Sequence, residues 1–253
     1  MAERERRVIS LVGGGGKTTI MYALAEIFRE EGKKVIVTTS THLQTPPEEI
    51  RARNMDEVRN LWKSGQIAVI GTDCEDNKNL VTGDPVAGAQ MENKKSVKKM
   101  RMPDASFLHE VLQEAEVVLI EADGAKHLPC KVPIEKEPVI IPECTDVIAV
   151  MGMDALGKPL EEVCFRKDLA VQFLNTSYKH LMAEEDIVKI LSSVQGARKG
   201  VEDREYYVVL NKCDDEIRKE RAEKIHSLLK EQGIENVMIT SHENRQNELK
   251  KYF

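Results

Sequence analysis

Four consecutive glycines, Gly13–Gly16, stand between an apolar run, Val8–Val12, and a stretch of helical period, Thr18–Glu31. In that stretch Ile20, Leu24 and Ile27 fall on one face with Met21, Ala25 and Phe28 beside them, and Gly32 stands where a helix C-cap belongs. Val35–Thr39 is a second apolar run. A buried strand, a sharp glycine turn, a helix and another buried strand make a βαβ unit, whose crossover is right-handed. Glycine at every turn position frees the backbone N–H groups to point inward with no side chain in the way.

That turn continues as Lys17-Thr18-Thr19. Inward N–H groups, a helix N-terminus with its partial positive charge and a lysine together suit a chain of phosphates. In this reading Gly13, Gly14, Gly15 and Gly16 cradle a nucleoside triphosphate and Lys17 reaches the β- and γ-phosphates. The Thr18 hydroxyl ligates Mg²⁺, and Thr19 contacts the α-phosphate. The usual spacing, G-x-x-x-x-G-K-[ST], places Leu11 where the first glycine belongs. The loop is therefore either an atypical variant or shorter than usual.

Further along, Asp56–Lys63 and Ser106–Ala115 read as helices, and Ile67–Gly71 and Val117–Ile120 as strands. Asn77–Pro85 reads as a turn or hairpin. A proline-rich connection, Leu128–Pro142, precedes a strand at Asp146–Met151. Helical stretches follow near Leu169–Leu174 and Glu184–Leu191, then a strand at Tyr206–Leu210. Glu216–Gln232 is an amphipathic helix closed by Gly233, and Asn236–Thr240 is a final strand. Alternating helices and buried strands predict an α/β fold: a mostly parallel sheet with helices on both faces, the P-loop NTPase arrangement. Residues 1–253 read as one domain, with a helical insertion around 154–200 as an open alternative.

The net charge of −6 argues against a partner with a phosphate backbone, so no nucleic acid is expected. No apolar run is long enough for a membrane span, and Met1–Arg7 lacks the apolar centre of a signal peptide. Five scattered cysteines with no C-x-x-C pair fit reduced thiols and a cytoplasmic protein without a zinc knuckle. The basic run Asn93–Arg101 is either a solvated face or a segment that meets phosphate or an acidic partner.

Two later loops carry chemistry. Glu121-Ala-Asp123-Gly124 ends an apolar strand expected beside the phosphate strand. There Glu121 would hold Mg²⁺ through water, Asp123 would orient an attacking water or substrate hydroxyl, and the Gly124 N–H would approach the γ-phosphate. Asn211-Lys212-Cys213-Asp214 follows another strand. A carboxylate such as Asp214 accepts from both N1–H and the exocyclic amine of guanine, while a lysine packs along the base and an asparagine ties the loop to the phosphate turn. The alternative is a turn in which Asp214 or Asp215 caps the next helix. Thr240-Ser241 would add a second base contact. The cluster Thr38-Thr39-Ser40-Thr41-His42 either touches the γ-phosphate or metal water, through Thr39, Thr41 and His42, or is a capped polar loop.

The E-x-x-G motif and the Gly-Lys-Thr-Thr ending resemble the SIMIBI class of P-loop proteins. The chain as a whole resembles the selenium-dependent molybdenum hydroxylase accessory protein family, a YqeC-like selenium cofactor biosynthesis family. That resemblance rests on Leu11–Thr19, Thr38–His42, Glu121–Gly124, Leu128-Pro-x-Lys131-x-Pro133, Glu137-Pro-Val-Ile-Ile-Pro142 and Asp154-Ala-Leu-Gly-Lys-Pro-Leu160. It implies a nucleotide-using protein that helps equip a molybdenum hydroxylase with its cofactor, with that client or other maturation proteins as partners. It also implies substrate or switch contacts at Lys131, Glu137 and Arg166. Cys130 invites a role in sulfur or selenium transfer, but no activating partner stands near it in sequence, which favours a buried structural thiol. GTP use ahead of ATP follows from the base loop. A small-molecule kinase or nucleotidyltransferase with Asp123 as base, its acceptor pocket lined by Leu128–Pro142, and a non-catalytic nucleotide-responsive module are the other readings.

Overall fold

A computed structural model describes residues 6–74 and 98–253 of the chain. The first half contains β1 (Arg7–Gly13), α1 (Lys17–Glu30), β2 (Val35–Thr39), β3 (His42–Gln44), β4 (Arg51–Ala52), α2 (Met55–Lys63), β5 (Ala68–Ile70), β6 (Thr72–Asp73), β7 (Lys99–Arg101), α3 (Ala105–Glu114) and β8 (Val117–Glu121). The second half contains β9 (Cys130–Lys131), β10 (Asp146–Gly152), α4 (Leu160–Val163), β11 (Cys164–Phe165), α5 (Lys167–Leu174), α6 (Glu184–Ser192), β12 (Glu205–Asn211), α7 (Glu216–Glu231), β13 (Val237–Ile239) and α8 (Arg245–Leu249). Asn77–Pro85 and most of the basic run lie outside the described residues; its end, Lys99–Arg101, is β7.

Eight strands form one sheet in the order β13-β12-β10-β1-β8-β2-β5-β4. Every pairing in it is parallel. A small antiparallel sheet, β3-β7-β6, and a two-stranded pair, β11-β9, stand outside it. The strand β1 lies between β10 and β8, so its C-terminal end is flanked by Val150 on one side and Glu121 on the other.

Alternation along the strands splits the core into two faces. Ile9 and Leu11 share one face with Ile20, Met21, Leu24 and Phe28 of α1 and Leu249 of α8. Val8 and Val12 share the other with Leu108 and Val111 of α3 and Ala222, Ile225 and Leu229 of α7. Burying a Val, Leu, Ile, Met or Phe side chain among these contributes about 1.5–3 kcal/mol. Both sheet faces are therefore covered, as purely parallel sheets require.

Between β10 and β12 the chain makes α4, α5 and α6, and α6 packs along α7. Glu184 of α6 accepts two hydrogen bonds from the Arg221 guanidinium of α7, at 3.0 and 3.1 Å. Those bonds hold the Glu184 carboxyl at about 2, against an ordinary 4.5. A carboxylate with a depressed folded-state pKa stabilises the fold above its unfolded value, and that stability is lost as pH falls through the folded one. Wild-type protein should therefore lose thermal stability between about pH 4.5 and about pH 2 more steeply than Arg221→Ala. Melting curves across that window test this, and identical slopes would sink it.

Candidate functional site

The strand β1 does not stop at the first glycine. Gly13 still pairs with Val150, and the Gly14 N–H prolongs the ladder to the Val150 carbonyl at 2.9 Å. Leu11 is a fully buried sheet residue, so the turn is short, and α1 begins at Lys17. Gly15 adopts φ 75°, and a Cβ there would lie 2.1 Å from the Gly152 nitrogen. A Cβ on Gly14 would lie 2.6 Å from the Leu128 carbonyl oxygen. The turn tolerates no side chain at either position. Thr18 and Thr19 sit exposed in the first turn of α1, where helix N–H groups lack intrahelical partners.

Lys17 is buried, and its Nζ donates to the Gly13 carbonyl at 2.7 Å and stands 3.1 Å from Asp123 Oδ1. The other Asp123 oxygen accepts from the Gly13 N–H at 3.1 Å and faces Lys131 Nζ at 3.2 Å. Lys131 is itself buried and also meets Gly124 O at 2.8 Å and Glu137 Oε2 at 2.8 Å. Arg166 closes the series on Glu137 Oε1 at 2.9 Å. An alternating line of charges, Lys17–Asp123–Lys131–Glu137–Arg166, thus runs from the glycine turn to the start of α5. Burial works to raise the Glu137 carboxyl, but the bonds from Lys131 and Arg166 outweigh it and hold it below its ordinary value.

Glu121, at the end of β8, accepts from the Thr18 hydroxyl at 2.7 Å. Burial pushes its carboxyl up, with Lys17 and Thr18 pulling the other way. A hydroxyl and a carboxylate in contact at the mouth of a phosphate turn form a hard-oxygen donor set that fits Mg²⁺, which keeps several waters and needs few protein ligands. Gly124 is exposed beside them.

Thr39 turns its hydroxyl to the Glu121 carbonyl at 2.8 Å and receives the Thr41 N–H at 3.0 Å. Thr38 bonds the Ile70 carbonyl, and Ser40 bonds Val139. His42 is exposed on β3, opposite Arg101. This cluster braces the ends of β2 and β8, with its buried hydroxyls spent on backbone.

The fourth loop meets the first. The buried Asn211 side chain donates to the Gly15 carbonyl at 2.7 Å and accepts from the Thr240 hydroxyl at 3.0 Å. Lys212, at φ 64°, reaches Asp154 Oδ2 at 2.8 Å. One Asp214 oxygen accepts the His242 N–H at 2.8 Å, and the side chain is 45% exposed. Asp215 accepts from the Arg218 N–H and caps α7, so Asp214 is not the cap. Asp154 appears in sequence only as part of a longer motif, with nothing to mark it as the partner of Lys212.

Cys130 does have a partner: Cys164 lies opposite it in the β9–β11 pair. The hydrogen bond that the Cys130 thiol donates to Cys164, with burial, pushes that thiol well above its ordinary value. Such a thiol is a poor nucleophile, which fits the structural role.

A parallel sheet whose central strand passes through a short glycine turn into a helix beginning Lys-Thr-Thr, with an acidic pair at the neighbouring strand end, defines the P-loop NTPase fold. Within that class the chain belongs to the YqeC family, whose model, described as YqeC protein, matches residues 9–168. The protein YqeC of Escherichia coli (strain K12), described as uncharacterized, is 29% identical over 204 residues, covering 79% of this chain and 73% of that protein. A solved structure, the MinC:MinD cell division protein complex of Aquifex aeolicus, superposes with a TM-score of 0.44 at 14% identity, over 95% of this chain and 85% of that one. No helix among the described residues is long and apolar enough to cross a membrane.

Proposed function

We propose that this protein binds and hydrolyses a nucleoside triphosphate, GTP in preference to ATP, as an accessory factor in the maturation of selenium-dependent molybdenum hydroxylases. The observation that carries the nucleotide reading is the Asn211 bridge from the base loop to the Gly15 carbonyl. It supports a single site in which the glycine turn and Asn211–Asp214 face one ligand. The Gly15–Thr19 N–H groups and Lys17 would hold the phosphates, and Lys212 and Asp214 the base. Thr18 and Glu121 would hold Mg²⁺, which supplies charge neutralisation at the phosphates when bound. Asp123 becomes available to orient a water once Lys17 turns from it to phosphate, and Lys131 then remains to position it. The maturation role follows from the family resemblance alone, and its clients would be a molybdenum hydroxylase or its cofactor-loading proteins.

Competition titration of GTP against ATP with Mg²⁺ tests the ligand, with preferred GTP binding expected. Binding of neither nucleotide would end the proposal. Product analysis by mass spectrometry separates hydrolysis, which leaves GDP and phosphate, from transfer to a small acceptor. The space beside Asp123, lined by Val12, Gly13, Lys131, Pro133 and Pro138, measures about 10 Å³, which does not favour an acceptor pocket there.

A further inference from the structure

The segment that follows β8 folds back onto the glycine turn. The Leu128 carbonyl accepts the Gly15 N–H at 3.0 Å, and the Pro129 carbonyl accepts the Gly152 N–H at 3.0 Å. A Cβ built on Gly14 would also meet Pro129 at 3.0 Å, so the two backbones are in direct contact. Gly15 thus gives its N–H to a protein carbonyl, in the place where a phosphate oxygen would take it. Lys17 is occupied in the same way by Gly13 O and Asp123.

The fold-back depends on an unfavourable backbone. Lys126 and His127, consecutive and exposed, both adopt left-handed conformations, at φ 47° and 64°. Non-glycine residues take that region uncommonly, with asparagine, aspartate and histidine the more tolerant, and two in succession are costly. The strained pair begins three residues beyond Asp123, and the residue after it, Leu128, supplies the carbonyl on the turn.

We infer that residues 124–129 form an internal strap that occupies the phosphate turn in the free protein and must leave it when nucleotide binds. This rests on the nucleotide reading above and adds its regulation. The Leu128 carbonyl is the competitor of the incoming phosphate. The left-handed pair stores the strain that keeps the strap releasable. Apparent affinity is set by the fraction of molecules with the strap released.

Comparing glycine with alanine at the two positions isolates this effect. Both substitutions remove the Lys126 and His127 side chains, while glycine alone relieves the left-handed strain. The double variant Lys126→Gly/His127→Gly should melt at higher temperature than Lys126→Ala/His127→Ala. By calorimetric titration it should bind Mg²⁺–GTP more weakly, by roughly fivefold per residue. Equal or tighter binding by the glycine pair would overturn the strap while leaving the nucleotide site intact. A wild-type protein that binds no nucleotide would overturn both. Hydrogen exchange of the wild-type Gly152 amide needs no variant: with the strap released it should exchange faster when Mg²⁺–GTP is added. Unchanged or slower exchange at Gly152 would count against release.

Discussion

Replacing Lys17 with alanine is expected to weaken Mg²⁺–GTP binding by about tenfold to a hundredfold, the loss of a charge-assisted hydrogen bond worth ~1.5–3 kcal/mol. The fold should survive the change. Lys17 and Asp123 are a buried pair, and removing one member of such a pair is normally severe because a charge is left alone. Here Asp123 keeps Lys131 at 3.2 Å and the Gly13 N–H at 3.1 Å. Affinity and stability should therefore separate: a large loss of binding with a modest fall in melting temperature. Titration and thermal denaturation of the same preparation read the two. Unaltered affinity would remove Lys17 from the phosphate site.

The second large effect concerns choice of base. Asp214→Asn should collapse the preference for GTP over ATP, which a site built on paired hydrogen bonds can hold at roughly 10⁴-fold. A carboxylate offers two acceptors to the two adjacent donors of guanine. The amide of asparagine turns one acceptor into a donor, which then opposes the exocyclic amine. The same donor suits a carbonyl at that ring position, so xanthosine triphosphate should gain what GTP loses. The His242 N–H fixes one Asp214 oxygen, and the side chain stays partly exposed. Competition titrations of the three nucleotides on wild type and variant decide it; GTP selectivity that survives in the variant refutes the assignment.

How far these sites can be read from sequence depends on whether the determinant is a side chain or a backbone. The β1–α1–β2 unit is plain, because Ile20, Leu24 and Ile27 repeat with helical period and the adjoining runs are apolar. The strand positions of Glu121 and Asn211 are equally clear, since an apolar run ends at each. The two-residue strands β4, β6, β9 and β11 leave no periodic signal and exist through long-range pairing. The fold-back of Leu128 onto Gly15 is a contact between a carbonyl, which every residue has, and an amide, which every residue but proline has, so composition is blind to it. The hydroxyl cluster Thr38–His42 reads in sequence equally as a contact to phosphate or metal water and as a capped polar loop, because hydroxyls suit both roles. Only the strand register shows Thr39 turned to the Glu121 carbonyl.

The Asn211–Gly15 bond joins residues 196 apart in the chain. During synthesis the glycine turn leaves the ribosome long before its base-loop brace, and β1 waits for β10 to complete its flank. A nascent chain can offer a phosphate grip but no base selection. In the proposed site, discrimination between nucleotides would therefore arise late in folding, when distant strands pair slowly against the entropy of closing long loops.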